Sequence, residues 1–440
     1  MLHAALKGDR SFRLLACSVG MRLDEKRGAA GVGFDTISKP GLWARVGPEA
    51  VGFLKAVLAR VIRDSMSPSG HELPAIPTIT RIVVEDSAIL NLDARLADEF
   101  PATSNQHGTG AGLRLQSAFD LVTGEPLRLE LTRYKRNDQA TSGDIIPLLR
   151  PGDLLIRDLG YFSSAPFVAI VAQCAHYLSR HLGVCLLHHT AEGGGERINL
   201  LEHLHRHAPR PGDITDIDVL IGSGQKGTPR FRSRLVARRV PMAVEEKRLR
   251  RLGQEEKRRG NKFSAVHRRL QGWEIYITSL PREEVGAAKI FKLYPLRWRI
   301  EIIFKACKSH TALRAIAAHR SNANHVQAML YAWLCALVLA ARTRAFALAV
   351  ESRKGGLRAN YLSLLKVVAR AFEMMGELMS MSCAPTSQIM GRWLRQISYH
   401  DRYEPRKRRT NMAIKVEETL ELPPRETGTA TVSEAQKLMT

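Results

Sequence analysis

The sequence predicts a mixed α/β protein, and three observations carry that expectation. Two short β-branched runs, Ile79-Thr-Arg-Ile-Val-Val-Glu-Asp86 and Leu154-Leu-Ile-Arg-Asp158, read as buried strands that end on an aspartate. Amphipathic helical patterns separate and follow them, so the hydrophobic period switches repeatedly between 2 and 3.6. A third strand, Gly272-Trp273-Glu-Ile-Tyr-Ile-Thr-Ser-Leu, returns just before a charge-rich helix that starts near Pro295.

Residues 1–74 are expected to form a helical region. Its amphipathic run Val51–Ile62 has apolar positions 54, 57, 58, 61 and 62, and Ser67-Pro-Ser-Gly and Pro74-Ala-Ile-Pro77 punctuate its end. Residues 75–182 form the first part of an α/β core. Here Gly112–Leu121 and Pro126–Thr132 flank a Val122-Thr-Gly124 turn as a hairpin. In the second arm Leu127, Leu129 and Leu131 alternate with Arg128 and Glu130, which predicts one wet face. Asp144-Ile-Ile-Pro-Leu-Leu reads as a short helix. Ser163 or Ser164 caps a helix over Ala165–Cys174 with Pro166 in its first turn, and His176–Arg180 is a further strand. Residues 183–280 read as a mostly β insertion, with Gly-rich loops, strands near Ile217 and Arg234, and an exposed charged helix over Val244–Arg259. Residues 281–320 supply the helix that completes the core. Residues 321–400 are helical, and the apolar Val326–Ala341 is too short for the ~20 residues a membrane span needs. Residues 401–440 form a basic tail around Arg406-Lys-Arg-Arg409, expected to be disordered from Thr427.

The charge balance bounds the function. Lys and Arg number 66 against 43 Asp and Glu, a formal net charge of +23, which points to a polyanionic partner, nucleic acid above all. A membrane surface is the competing polyanion, but no run reaches ~18 uninterrupted apolar residues. Cys17, Cys174, Cys185, Cys307, Cys335 and Cys383 are scattered with no Cys-x-x-Cys pair. That argues against a zinc ribbon or a disulfide framework, and for a reducing compartment.

The charge-rich helix is the most informative stretch. Arg297, Glu301 and Lys308, at i, i+4 and i+11, point one way, while Ile300, Ile303, Phe304 and Cys307 make a separate apolar stripe. A carboxylate bracketed by cations on a core-anchored helix suits a place where metal and phosphate meet. With Tyr294 added, the spacing Tyr-x2-Arg-x3-Glu-x6-Lys resembles the signature of one branch of the DDE transposases, the insertion sequence four type. Those are cut-and-paste enzymes of bacterial insertion sequences, built on a ribonuclease H-like core. Trp298 after Arg297 matches many members, and Pro295 departs from the pattern.

The resemblance implies a fold and a chemistry. The fold is a ribonuclease H-like mixed sheet interrupted by the β insertion and flanked by helical regions. Asp86, Asp158 and Glu301 would be the catalytic, metal-binding triad, holding two Mg²⁺ ions for which Mn²⁺ substitutes. Asp158 sits in Asp-Leu-Gly-Tyr-Phe-Ser, similar to the family's second motif, whereas Asp86 competes with its neighbour Glu85. Tyr294, Arg297, Lys308 and Arg180 would contact DNA phosphates. Members of this branch free the transposon end through a DNA hairpin with a flipped base. Trp273 resembles the residue that receives that base and Trp298 the one that displaces it; a strand-core aromatic is the alternative for Trp273. The implied partners are double-stranded DNA, as terminal inverted repeats and target, and a second copy of the chain in a homodimer. The implied place is the cytoplasm, on the nucleoid. A ribonuclease H-like nuclease or resolvase, and a non-catalytic DNA-binding regulator, are the alternative functions.

Overall fold

The computed structural model describes residues 44–65, 73, 76–105, 108–181, 183, 185–190, 195–225, 230–310, 313, 316, 322–353, 370, 391, 393 and 412–421. Residues 1–43, the Ser67-Pro-Ser-Gly turn, nearly all of the Leu362–Met375 helix, the Arg406 basic run and the tail from Thr427 lie outside the described residues. The chain begins with α1 (Pro48–Ser65), β1 (Arg81–Asn91), β2 (Pro101–Asn105), β3 (Gly108–Asp120) and β4 (Pro126–Arg133). It continues through β5 (Asp153–Arg157), α2 (Ser164–Ala172), β6 (His176–Arg180), β7 (Leu187–His189), α3 (Leu200–His207), β8 (Ile214–Ile221) and β9 (Phe231–Arg239). There follow α4 (Met242–Arg259), α5 (Ala265–Arg269), β10 (Trp273–Thr278), α6 (Ala287–Leu293), α7 (Trp298–His310), α8 (Ala323–Arg353) and α9 (Met412–Leu420). The described residues divide into two compact units. One takes them from 1–69, 87–136 and 298–440, the other from 70–86 and 137–297.

In the first unit β3 pairs antiparallel with both β2 and β4. The hairpin turn is built by its own side chains. Asp120 Oδ1 accepts from the Val122 and Thr123 amides at 2.7 and 3.0 Å, and Gly124 takes φ +75°, a conformation that glycine adopts without strain. The wet face expected of β4 is corrected at Arg128, which is buried and pairs with Glu130 at 2.5 Å, while Glu130 keeps 38% of its side chain exposed. The cause is cover, because α1 and α8 both pack on this strand. Burial, and then the Glu130 charge, raise the phenol of Tyr331 on α8. Within α8 the stretch Ala323–Arg342 is long and apolar enough to cross a membrane. Val326, Met329, Leu330 and Trp333 are nevertheless fully buried within the protein, as in a core helix.

The second unit holds a mixed sheet in the order β1-β5-β6-β10-β9-β8-β7. β1, β5 and β6 run parallel, and β10, β9, β8 and β7 continue antiparallel. The β-rich stretch therefore extends the sheet, with β10 between β6 and β9. Helix α2 covers it through Phe167, whose ring meets Tyr177 at 4.5 Å and Phe231 at 5.6 Å. Three local expectations change. Ser163 occupies the cap position without a side-chain capping bond, and the short helix at Asp144 is a 3-10 turn, Ile146–Leu148. Strand β1 does not stop at Asp86 but runs on to Asn91, and beyond it the Leu92 amide donates to the Ala111 carbonyl at 3.0 Å.

Candidate active site

The site starts from strand register. Arg81 to Glu85 of β1 face Asp153 to Arg157 of β5, residue for residue. Alternate residues of a strand point to opposite faces, so this pairing carries two different sets of charges. On one face Arg81 meets Asp153, and Arg157 Nη2 lies 2.8 Å from Glu85 Oε2, with both of those side chains at most 1% exposed. Arg157 also donates to the Ser142 carbonyl at 3.0 Å and lies over the Tyr161 ring. Glu85 is thus held inside the protein by an arginine, and Asp86 is the residue the opposite face presents. One residue after the Glu85–Arg157 pair come Asp86, still within β1, and Asp158, just past the end of β5, both half-buried.

The expected single helix from Pro295 is two segments, a 3-10 turn, Tyr294–Arg297, and then α7. In a 3-10 turn residues i and i+3 eclipse, so Tyr294 and Arg297 share an edge. That edge meets the two aspartates. Arg297 Nη1 donates to Asp86 Oδ2 at 2.9 Å, with 8% and 20% of the two side chains exposed. The Tyr294 hydroxyl donates to Asp158 Oδ1 at 3.2 Å. The Tyr294 ring packs on Tyr276 at 4.5 Å. Burial, then the Asp158 charge, hold its phenol well above the ordinary range against the pull of Arg297 and Arg180. Arg180 stands exposed at the end of β6, opposite Tyr276 in the ladder.

Glu301 is half-buried in the first turn of α7, and Trp298, at the start of that helix, is 53% exposed. Lys308 falls in α7, but its side chain lies outside the described residues. Trp273 sits in the strand core, the alternative setting for it. Its indole is 4% exposed and its Nε1 donates to the Ala208 carbonyl at 2.9 Å. The Arg239 guanidinium lies over the ring at 4.4 Å and the His205 ring meets its edge. Gly272 makes this possible, since a Cβ there would overlap Arg239 Nη1 at 1.6 Å. A base reaches that face only by displacing the arginine.

Among the described residues no three His, Cys, Asp or Glu side chains form a metal cluster. Asp86 and Asp158 still fit a divalent cation in donor type. Both are hard carboxylate ligands, and Mg²⁺ takes one or two of these while keeping several waters. Sequence reasoning missed the Glu85–Arg157 lock and Tyr276. The first was readable in hindsight: Arg81-x3-Glu85 and Asp153-x3-Arg157 are complementary charges inside two apolar strands.

A mixed sheet with one aspartate on a parallel strand and another just past the end of its neighbour, approached by a Tyr-Arg turn, defines the class. Residues 80–339 match the family described as Transposase DDE domain, and the chain belongs to that family. It is 31% identical over 291 residues to a transposase for insertion sequence element IS231B of Bacillus thuringiensis subsp. berliner, a match covering 62% of this chain and 59% of the relative. A transposase for element IS1151 of Clostridium perfringens is 22% identical over 318 residues, covering 69% and 65%. A putative transposase InsL for element IS186A of Escherichia coli K12 is 30% identical over 246 residues, covering 54% and 62%. Each of these matches spans less than two thirds of the relative.

Proposed function

We propose that this protein is the transposase of a bacterial insertion sequence, moving its element by cut-and-paste. It cleaves DNA at the element's ends, closes each end as a hairpin and joins the ends to a target. The observation that carries the reading is the Asp86–Asp158 pair with Tyr294 and Arg297 hydrogen-bonded to it. Family membership and the names of the relatives add support.

In this reading Asp86, Asp158 and Glu301 hold Mg²⁺, with Mn²⁺ as a substitute. Such ions activate a water or a DNA 3′-hydroxyl and stabilise the leaving oxygen. Arg180, Lys308, Tyr294 and Arg297 hold backbone phosphates beside the reacting bond, where charge-assisted hydrogen bonds orient the strand. The exposed indole of Trp298 offers a stacking surface for an unpaired base. Two copies of the chain act on paired inverted repeats, and the work takes place on DNA in the cytoplasm.

The test uses full-length protein, a labelled duplex ending in the inverted repeat that flanks the coding gene, and Mg²⁺. On a denaturing gel we expect nicks followed by hairpins. Cleavage without hairpins would favour a nuclease or resolvase, and binding without cleavage a regulator.

A further inference from the structure

We propose that Arg297 and Tyr294 are positioning residues for the Asp86–Asp158 pair, and that Arg297 stands in for a divalent cation until metal takes its place. The inference rests on the reading that this pair binds metal. It gives Arg297 a role opposed to metal binding, distinct from holding DNA.

Asp86 and Asp158, each one position past the Glu85–Arg157 register pair and both half-buried, repel each other unless a cation lies near. Without metal, that cation is the Arg297 guanidinium, 2.9 Å from Asp86 Oδ2 and nearly buried. Its place is fixed by the backbone, because the 3-10 turn is anchored by Leu296, 1% exposed, and by Tyr294, 5% exposed and stacked on Tyr276. Tyr294 acts on the other carboxylate, and differently. A hydroxyl donates one hydrogen bond to Asp158 Oδ1 and brings no charge. The clamp is therefore asymmetric: Asp86 accepts from a charged donor and Asp158 from a neutral one. A divalent ion arriving at the pair must share or displace the guanidinium at Asp86, while the Tyr294 bond to one oxygen of Asp158 presents the other. The released guanidinium, on the same edge as Tyr294, is then available for a phosphate.

Opposite signs follow for two substitutions, read without DNA. Mn²⁺ alone is titrated into full-length protein and followed by calorimetry and by the loss of free-ion electron paramagnetic resonance signal. Arg297→Gln should bind Mn²⁺ on the order of tenfold more tightly, the scale by which one adjacent charge shifts a carboxylate's affinity for a cation. Arg297→Lys, which keeps the charge, should stay near wild type, and Tyr294→Phe should bind more weakly. Equal or weaker binding by Arg297→Gln overturns the proposal. Asp86→Asn and Asp158→Asn separate the two ideas. If they abolish binding while Arg297→Gln does not tighten it, only the stand-in role fails. If they leave binding intact, the metal-site reading fails and the inference with it. Should Arg297→Gln not fold, wild type decides the matter. The Arg297 side-chain N–H resonance, assigned by its absence in Arg297→Lys, should shift on adding Mg²⁺, and its failure to move as the ion binds overturns the proposal.

Discussion

Glu85 and Asp86 are covalent neighbours with opposite environments, and in the proposed function the difference decides which one serves chemistry. Glu85 is fully buried against Arg157, whereas Asp86 keeps a fifth of its side chain exposed. Asp86→Ala should therefore abolish strand cleavage with no takeover by Glu85, and Asp158→Ala and Glu301→Ala should do the same. DNA binding should survive in all three, because none is a phosphate contact. Gel-shift and cleavage assays on the same preparations check this, and residual Mg²⁺-dependent cutting by Asp86→Ala would refute it. The two tryptophans separate in the same way. Trp273→Ala should cost about 3–5 kcal/mol of stability by emptying a buried, hydrogen-bonded pocket. Trp298→Ala should change stability by less than ~0.5 kcal/mol yet slow hairpin formation, with ~1–3 kcal/mol of stacking lost. Chemical denaturation and a nick-to-hairpin ratio on one gel read both. His181 adds a pH effect. It is buried against Phe162, and desolvation lowers its pKa from 6.5 to about 4. Between those values the unfolded chain binds the proton and the folded one does not. Stability should thus be full above pH ~6.5 and fall toward pH 4, by on the order of 3 kcal/mol from this group. His181→Phe should flatten that part of the curve.

Strand pairing explains both what the sequence disclosed and what it hid. The β-branched runs before Asp86 and Asp158, the Gly124 turn and the strand at Trp273 were legible because each has a local cause: period, turn chemistry or composition. The register of β1 on β5 was not, since it depends on which residues meet across 72 positions of chain. It is set by two buried ion pairs of opposite polarity, Arg81–Asp153 and Glu85–Arg157. A slip by four residues either way sets Arg81 against Arg157 or Glu85 against Asp153, and like charges inside a sheet exclude both. The same non-local cause hid the burial of Trp273, which depends on Arg239 of β9 and Ala208 after α3. Within the site, the Tyr294–Arg297 spacing was legible, but its partners were not, because a 3-10 turn replaced the first turn of the expected helix. Removing one member of a buried pair leaves an uncompensated charge, so Glu85→Leu alone should cost about 3–5 kcal/mol. Glu85→Leu with Arg157→Met should be close to neutral, and a double-mutant cycle by denaturant melts measures the difference.

At the scale of the whole chain the governing quantity is charge. A net +23 on 440 residues opposes its own compaction and is suited to a partner that supplies the counter-charge. DNA binding should then release counterions, and the logarithm of the binding constant should fall linearly with log salt, by roughly 0.9 per phosphate neutralised. The second unit offers a place to read this. On α4 the inward residues are used up: Glu245 pairs with Arg239, Glu256 with Arg268, and Arg248 with Glu274. Lys247, Arg251 and Arg258 are exposed and recur at i, i+4 and i+11, one line along the helix. Substituting all three by Ala touches no buried contact, so folding should be unchanged within ~0.5 kcal/mol. If each sits on a phosphate, the salt slope should become shallower by about 2.7, whatever the DNA sequence. Fluorescence anisotropy of a labelled duplex across a salt series gives both slopes. An unchanged slope in the triple variant moves the DNA surface off α4. A wild-type slope near zero removes nucleic acid as the partner of this charge.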